Sequence, residues 1–165
     1  MNVSSTEMSS PIGRLRLSAT DEGLCAIDFD GPHAAYKKMK KNGESSSRSR
    51  ELLRKAENAL TRYFAGEMEA FTGVPLDFSG TPFQKKVWAA LLKIPAGNTR
   101  SYADIARAIG NPKAVRAVGS ANGANPIPII VPCHRVIGAD GSLTGYGGGC
   151  DRKEWLLKHE GALLV

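Results

Sequence analysis

A cysteine, a histidine and an arginine stand in direct succession at Cys133-His134-Arg135, at the end of an apolar run that Pro132 closes. The thiolate is the nucleophilic form of cysteine, and a neighbouring imidazole and guanidinium would favour it electrostatically. Nucleophilic chemistry is therefore expected at Cys133, with His134 as the nearest base. Ile129, Ile130 and Val131 are β-branched and bounded by prolines. They are predicted to form a short buried strand, which Pro132 ends because it has no N–H to donate, leaving the thiol at a strand end facing a loop. Successive side chains of an extended segment point to opposite faces. His134 thus serves Cys133 only if the chain turns there or a water bridges them; otherwise Cys133 is a buried structural cysteine.

Other residues of chemical interest carry less. Cys25, Cys133 and Cys150 are widely spaced and include no Cys-x-x-Cys pair, so neither a disulfide framework nor a thiolate zinc site is indicated. Cys25 lies on the apolar face of an alternating segment and Cys150 just ahead of a helix; both are read as structural. His33, in a Gly-Pro-His turn, is read as a solvated loop residue. The loop from Thr144 to Gly149 is rich in glycine but is not a phosphate loop, since no Gly-Lys-Ser/Thr follows and no strand opens into a helix there.

The elements that must position Cys133 follow from periodicity. Residues 12–20 alternate Leu15 and Leu17 against Arg14 and Arg16, and residues 25–30 alternate Cys25, Ile27 and Phe29 against Ala26, Asp28 and Asp30. Joined through Asp21-Glu22-Gly23, they are predicted to form a hairpin. The lysine-rich residues 37–41 read as a solvated helix face or a localisation signal, and residues 44–50 as a mobile loop. From Glu51, apolar residues at helical spacing predict an amphipathic helix ending near Gly66. The first part is then a small sheet packed on one or two helices, with the domain boundary at Gly80.

The second part is mainly helical. Thr81-x-x-Gln84 with Pro82 predicts a capped helix bearing Phe83, Val87, Trp88, Leu91 and Leu92 on one face. Ser101-x-x-Asp104 caps the next, with Tyr102, Ile105, Ala106 and Ile109 inward. A third helix is predicted from Asn111-Pro112 to about Asn122, with Val115 and Val118 able to face the core. These two helices make a helix-turn-helix. The third presents small residues, with Lys113 and Arg116 projecting among them, which suits insertion into a narrow groove with the arginine as a probe; close packing in a core would look similar. Gly138 to Gly141 reads as a tight hairpin turn. Asp151-x-x-Glu154 is predicted to cap a last helix from Arg152 to Glu160, anchored by Trp155 and Leu156.

Charge divides the same way. Residues 1–80 hold 11 Lys/Arg and 11 Asp/Glu, whereas residues 81–165 hold 11 and 5, so the whole net charge of +6 lies in the part that contains Cys133. That is the footprint of a polyanion-binding surface, although a basic soluble protein would share it. No apolar run reaches membrane-spanning length and the first ten residues lack a signal-peptide core, so no membrane association and a cytoplasmic (in a eukaryote, nuclear) location are expected.

Five motifs then act together: Asn111 to Gly119, Asn125-Pro126, Pro132-Cys133-His134-Arg135-Val136, Gly145-Tyr146-Gly147-Gly148, and Lys153-Glu154-Trp155-Leu156-Leu157-x-His159-Glu160. Their order and spacing resemble the O6-alkylguanine-DNA alkyltransferases, also called methylated-DNA-protein-cysteine methyltransferases. The resemblance is close from about residue 81 to 161 and looser before, where it rests on Ser10-Pro11-Ile12-Gly13 and Gly23-Leu24. It implies an α+β chain with a ribonuclease H-like α/β domain over residues 1–80 and a DNA-binding, alkyl-acceptor domain over residues 81–165.

The resemblance also implies roles. Cys133 would take the alkyl group from O6-alkylguanine, and from O4-alkylthymine, in double-stranded DNA, once and irreversibly. His134, through a water, and Glu160 would remove the thiol proton. Tyr102 would push on the phosphate and donate a proton to the leaving base. Arg116 would enter the stack from the minor groove, with Lys113, Ala117, Ser120 and Arg135 as further DNA contacts. Asn125 would hold the turn, and Val136, Tyr146 and Gly147 would line the base pocket. Glycine at 147 removes a hydroxyl that other members can carry, which alters the preference for bulky adducts. The family implies no cofactor, no metal with only Cys25 and His33 in the first domain, and a monomer, cooperativity on DNA being left open. A non-enzymatic sensor of alkylated DNA and a Cys-His thiol hydrolase are the alternatives; Cys133 argues against the first, the helix-turn-helix and basic half against the second.

Overall fold

The alternation of residues 12–30 does produce antiparallel strands, and a third strand lies ahead of them. The computed structural model describes residues 3–30, 45–143 and 145–163; His33, the lysine run at 37–41 and Thr144 lie outside them. Strands β1 (Ser4–Ser10), β2 (Gly13–Ala19) and β3 (Leu24–Phe29) form a sheet in that order, with Leu15 opposite Met8 and Phe29. Strand β1 escapes a hydrophobicity reading because Ser-Ser-Thr-Glu-Met-Ser-Ser offers almost no apolar alternation. Helix α1 (Ser47–Phe64) covers the sheet, burying Leu52, Leu53, Ala56, Leu60 and Tyr63 against Leu15 and Leu17.

The serines read as a mobile loop belong instead to the start of α1. Ser46 is its N-cap, accepting from Ser49 N while Ser49 Oγ accepts from Ser46 N. Serine hydroxyls satisfy the otherwise orphaned first amides of a helix, so the segment is ordered by capping. Ser4 Oγ extends the network from β1 to Ser49 at 2.5 Å and Ser45 at 2.6 Å.

The chain divides into two compact units, residues 1–79 and 80–165. In the second, helix α2 (Pro82–Leu91) has the Thr81/Gln84 capping box with Pro82 at its start, and helix α3 (Tyr102–Ala108) has the Ser101/Asp104 box. Strand β4 (Arg100–Ser101) runs straight into α3 and pairs in parallel with β5 (Val136–Ile137). Helix α4 (Val115–Gly123) packs on both α2 and α3, and Trp88 Nε1 donates to Ala121 O at 2.9 Å. Helix α5 (Cys150–His159) packs on the segment that holds Cys133.

Several expectations need correction. Helix α4 starts at Val115: residues 111–114 form a turn closed by Ala114 N to Asn111 O, so Lys113 precedes the helix. Val118 is buried, but Val115, the first residue of α4, is 37% exposed. Leu92 is 44% exposed, lying past the last turn of α2. Helix α5 begins at Cys150 behind Gly149 and has no side-chain cap from Asp151; Cys150 is exposed on its first turn, and Trp155 stacks on His159 while Leu156 and Leu157 take the core. Gly138 to Gly141 is a tight turn, with Gly141 N on Gly138 O, but the strand before it pairs in parallel with β4, so it closes no hairpin.

Candidate active site

The apolar run before Cys133 is a buried turn, not a strand. Residues 127–131 have no ladder partner; Val131 N donates to Ile127 O, and Ile129 holds φ at 75°. Prolines at 126, 128 and 132 remove the donors that a strand would need. Asn125 substitutes for the missing ladder: its Oδ1 accepts from Ile127 N at 3.0 Å and its Nδ2 donates to Val131 O at 2.8 Å. The chain then tightens into a 3₁₀ turn, Cys133–Arg135, which brings Cys133 and His134 around the same bend. From α4, Asn122 Nδ2 reaches Cys133 O at 3.3 Å.

Behind the cysteine lies a buried ionic network. His134 Nε2 and Glu160 Oε2 are 2.9 Å apart, and Arg135 grips the same carboxylate from the side, Nε to Oε1 and Nη2 to Oε2, both at 2.8 Å. Its remaining Nη1 donates to Ile94 O at 2.6 Å. Glu160 sits at the C-cap of α5, where the helix dipole disfavours an anion, so these partners are what hold it there. Burial pushes its acidity the other way, yet the hydrogen bonds from Arg135 and His134 outweigh that and bring its pKa to about 2. An ionised Glu160 accepts from Nε2–H. His134, kept neutral mainly by burial against the opposing pull of Glu160, then has Nδ1 as a bare acceptor, and that atom has no hydrogen-bond partner among the described residues.

Two expectations change here. Arg135, expected on the DNA-binding surface, is instead buried, with its guanidinium committed to Glu160 and Ile94. The thiolate expectation also fails in the resting protein. Cys133 is 5% exposed, and burial raises its pKa to about 11 despite the Asn125 hydrogen bond and the charge of Lys153. The thiol is protonated until something removes the proton.

Lys153 was missed by sequence reading. It is fully buried, and its Nζ donates to Val136 O at 2.6 Å. The signal was present: Lys153, Leu156, Leu157 and Glu160 occupy positions i, i+3, i+4 and i+7, a core-facing stripe beginning and ending in charge. Asn122 was missed as well, because its neighbours suggested a surface of small residues.

The remaining residues lie around this centre. Arg116, Ala117 and Ser120 are exposed along α4, as is Lys113 in the turn before it, with Arg116 six residues, about 9 Å of helix, ahead of Asn122. Tyr102 is half-buried at the first position of α3. A Cβ on Gly119 would lie 3.9 Å from its ring, and one on Gly145, which holds φ at 73°, would lie 3.1 Å from its hydroxyl. Val136 and Tyr146 are buried; Gly147 is exposed, and a Cβ there would meet nothing within 4 Å. A pocket of about 440 Å³ beside α2 and α3, lined in part by Ile94 and Ile105, includes none of these residues. Among the described residues, no three His, Cys, Asp or Glu side chains are grouped to hold a metal ion, and no helix is long and apolar enough to cross a membrane.

Comparison with known proteins places this geometry. The sequence model described as "6-O-methylguanine DNA methyltransferase, DNA binding domain" matches residues 82–162, and that described as "6-O-methylguanine DNA methyltransferase, ribonuclease-like domain" matches residues 4–78. The chain belongs to the 6-O-methylguanine DNA methyltransferase family. The methylated-DNA–protein-cysteine methyltransferase of Methanosarcina acetivorans is 53% identical over 153 residues, covering 93% of this chain and 95% of the relative. That of Haemophilus influenzae is 44% identical, covering 94% and 84%. Among solved structures, Mycobacterium tuberculosis O6-methylguanine methyltransferase superimposes with a TM-score of 0.83 at 46% identity, covering 97% of this chain and 93% of the other. The OGT of that organism in complex with DNA superimposes with 0.82 at 45%, covering 98% and 94%. The family's fold, an amino-terminal sheet unit and a helical unit with a helix-turn-helix, is the fold found here.

Proposed function

We propose that this chain repairs alkylated DNA by direct reversal, moving the alkyl group from O6 of guanine, and from O4 of thymine, onto Cys133. The observation that carries the reading is the arrangement behind that thiol: a neutral His134 with a bare Nδ1, backed by an ionised Glu160. His134 takes the thiol proton through a water molecule, and Glu160 stabilises the imidazolium that results. The Sγ–carbon bond forms as the carbon–O6 bond breaks. Tyr102 donates a proton to the departing base, so that guanine leaves neutral. Burial that raises the resting thiol's pKa also strips water from the thiolate once formed, which favours displacement.

A buried thiol cannot reach a base inside the stack, so the base must be extruded, and a poorly paired alkylated base costs less to extrude than a normal one. The exposed face of α4 supports that role. Ala117 and Ser120 are small enough for close approach in a minor groove, and Arg116 is long enough to fill the space the base leaves. Lys113 adds a phosphate contact. Val136, Tyr146 and Asn125 shape the base pocket, and the open space at Gly147 leaves its mouth free of a hydroxyl. The protein acts as a monomer and uses no cofactor.

Titration with a duplex carrying O6-methylguanine tests this. Intact mass should show one added methylene per protein, located on Cys133, and repair should stop at one equivalent. Repeated turnover, or repaired DNA with no adduct on the protein, would remove the proposal.

A further inference from the structure

The pocket of about 440 Å³ beside α2 and α3 takes no part in the chemistry at Cys133, yet it has the make-up of a ligand site. Small-molecule sites are concave, mostly apolar and furnished with a few polar groups. Ile94 and Ile105, both almost wholly buried, give this one an apolar side. Lys93 and Arg100, both exposed, bring two positive charges to it. Neither is held in an ion pair among the described residues. Arg100 engages only Nη1, on Thr99 O at 2.9 Å, so Nε and Nη2 remain open as donors. The third charged group, Asp104, is already satisfied: Oδ2 accepts from Ser101 N at 2.8 Å, and Arg107, outside the pocket, pairs with Oδ1.

Contacts made elsewhere set these walls in advance. The carbonyl of Ile94 accepts from buried Arg135 at 2.6 Å, Arg100 stands opposite Val136 in the β4–β5 pair, and Asp104 closes the capping box of α3. A site assembled before its ligand arrives loses less on binding. Charge then decides what it selects. Two uncommitted cations match a group with nearly two negative charges, and a phosphate monoester carries about −1.5 to −2 at neutral pH. A carboxylate, or the phosphodiester of a DNA backbone, carries a single charge. Arginine's planar fork and lysine's point charge are both established phosphate ligands. The isoleucines and the remaining volume accommodate an apolar body attached to that phosphate. We propose that this pocket binds a phosphate monoester with an attached ring system, the chemistry of a nucleoside monophosphate, its phosphate held by Lys93 and Arg100 and its ring lying against Ile94 and Ile105. A free mononucleotide and the 5′-phosphorylated end of a DNA strand both present that group. The site makes no use of Cys133 and stands apart from the alkyl-transfer reading.

Calorimetric titration of the full chain with deoxyadenosine monophosphate at low salt tests it. Deoxyadenosine, inorganic phosphate and the singly charged 3′,5′-cyclic monophosphate should each bind roughly tenfold or more weakly, since each lacks the ring or the second charge. Backbone amide shifts on adding the nucleotide should cluster in residues 93–100 and 104–108. Lys93→Gln and Arg100→Gln should each weaken binding about fivefold or more. Lys93 is on the surface, so its variant decides alone if Arg100→Gln fails to fold. Equal affinity for the monoester and its cyclic diester would overturn the proposal. So would amide shifts centred on α4 or on the Cys133 turn, which would put the nucleotide on the DNA-binding face. A duplex that binds more tightly with a 5′-phosphate than without, shifting the same amides, would support the proposal with a strand end as the source. The same shifts from the free nucleotide alone would support it with a mononucleotide.

Discussion

The two units bury polar groups of different kinds. Residues 1–79 bury mostly hydroxyls, Ser4, Ser18, Thr20 and Ser49, with Asp28 as the exception, and the hydroxyl groups answer one another or a nearby carboxylate, as Thr20 does on Asp77 at 2.6 Å. Residues 80–165 bury His134, Arg135, Lys153 and Glu160, four ionisable groups within 27 positions of Cys133, together with Asn122. A hydroxyl is buried at modest cost once bonded, whereas a buried charge is tolerated only inside a complete network. The unit that carries chemistry is thus the one whose fold bears expensive groups. The other spends its polar residues on order.

The largest contrast should come from the cysteines. Cys133→Ser should bind DNA and transfer nothing, whereas Cys25→Ser and Cys150→Ser should retain transfer; a label found on Cys150 would break the comparison. Next, Glu160→Gln should slow transfer about 100-fold through loss of the proton relay. It should also cost about 3 kcal/mol of stability in denaturant melts, because Arg135 stays buried without its counterion. The acid limb follows with a definite sign. Glu160 binds its proton more weakly when folded, pKa about 2 against an ordinary 4.5, so its stabilisation is present above 4.5 and lost as pH falls toward 2. The glutamine variant should lose that part of the slope. At the alkaline end, Cys133 and Cys25, both raised from 9.0 to about 11, stabilise fully below 9.0 and cease to as pH rises through 11.

Arg116→Ala should lower repair of duplex by roughly tenfold while reaction with free O6-benzylguanine stays near the parent rate, because a free base needs no extrusion. Equal losses would mean that Arg116 supports the fold. The smallest effect belongs to the first unit. Ser46→Ala should cost about 1 kcal/mol of stability through the lost cap and leave the transfer rate unchanged. A transfer defect there would give residues 1–79 a part in the chemistry.

The capped starts of α2 and α3 were legible in the sequence, since Thr81/Gln84 and Ser101/Asp104 announce themselves by type and spacing, whereas the Ser46/Ser49 box of α1 was lost among the serines around it. Helices α4 and α5 were legible too, but not their first residues, because no side chain caps either start. Strand β1 was hidden because its edge position asks for hydrogen bonds and little apolar surface. The Ile129 turn read as a strand because β-branched residues prefer extended backbone, a preference that the missing donors of prolines 126, 128 and 132 and the local Asn125 bridges together overturn. Cys133, His134 and Glu160 were found as a motif, but the roles of Arg135 and Lys153 depend on which way buried side chains point. Charge in a sequence reads as surface; these two are exceptions because partners 25 and 17 positions away complete them.

The depth of Cys133 bears on how long an unused molecule stays competent. A protein that reacts once has no way to recover from a wasted encounter. With burial pushing its thiol up to about 11, Cys133 is overwhelmingly un-ionised at neutral pH. Peroxide and stray electrophiles, which select thiolates within reach of solvent, therefore meet Cys150 first, on the surface at the start of α5. Peptide mapping after mild peroxide should find Cys150 oxidised while Cys133 still accepts an alkyl group. Concealment acts here as storage, keeping the nucleophile fresh until a base enters to claim it.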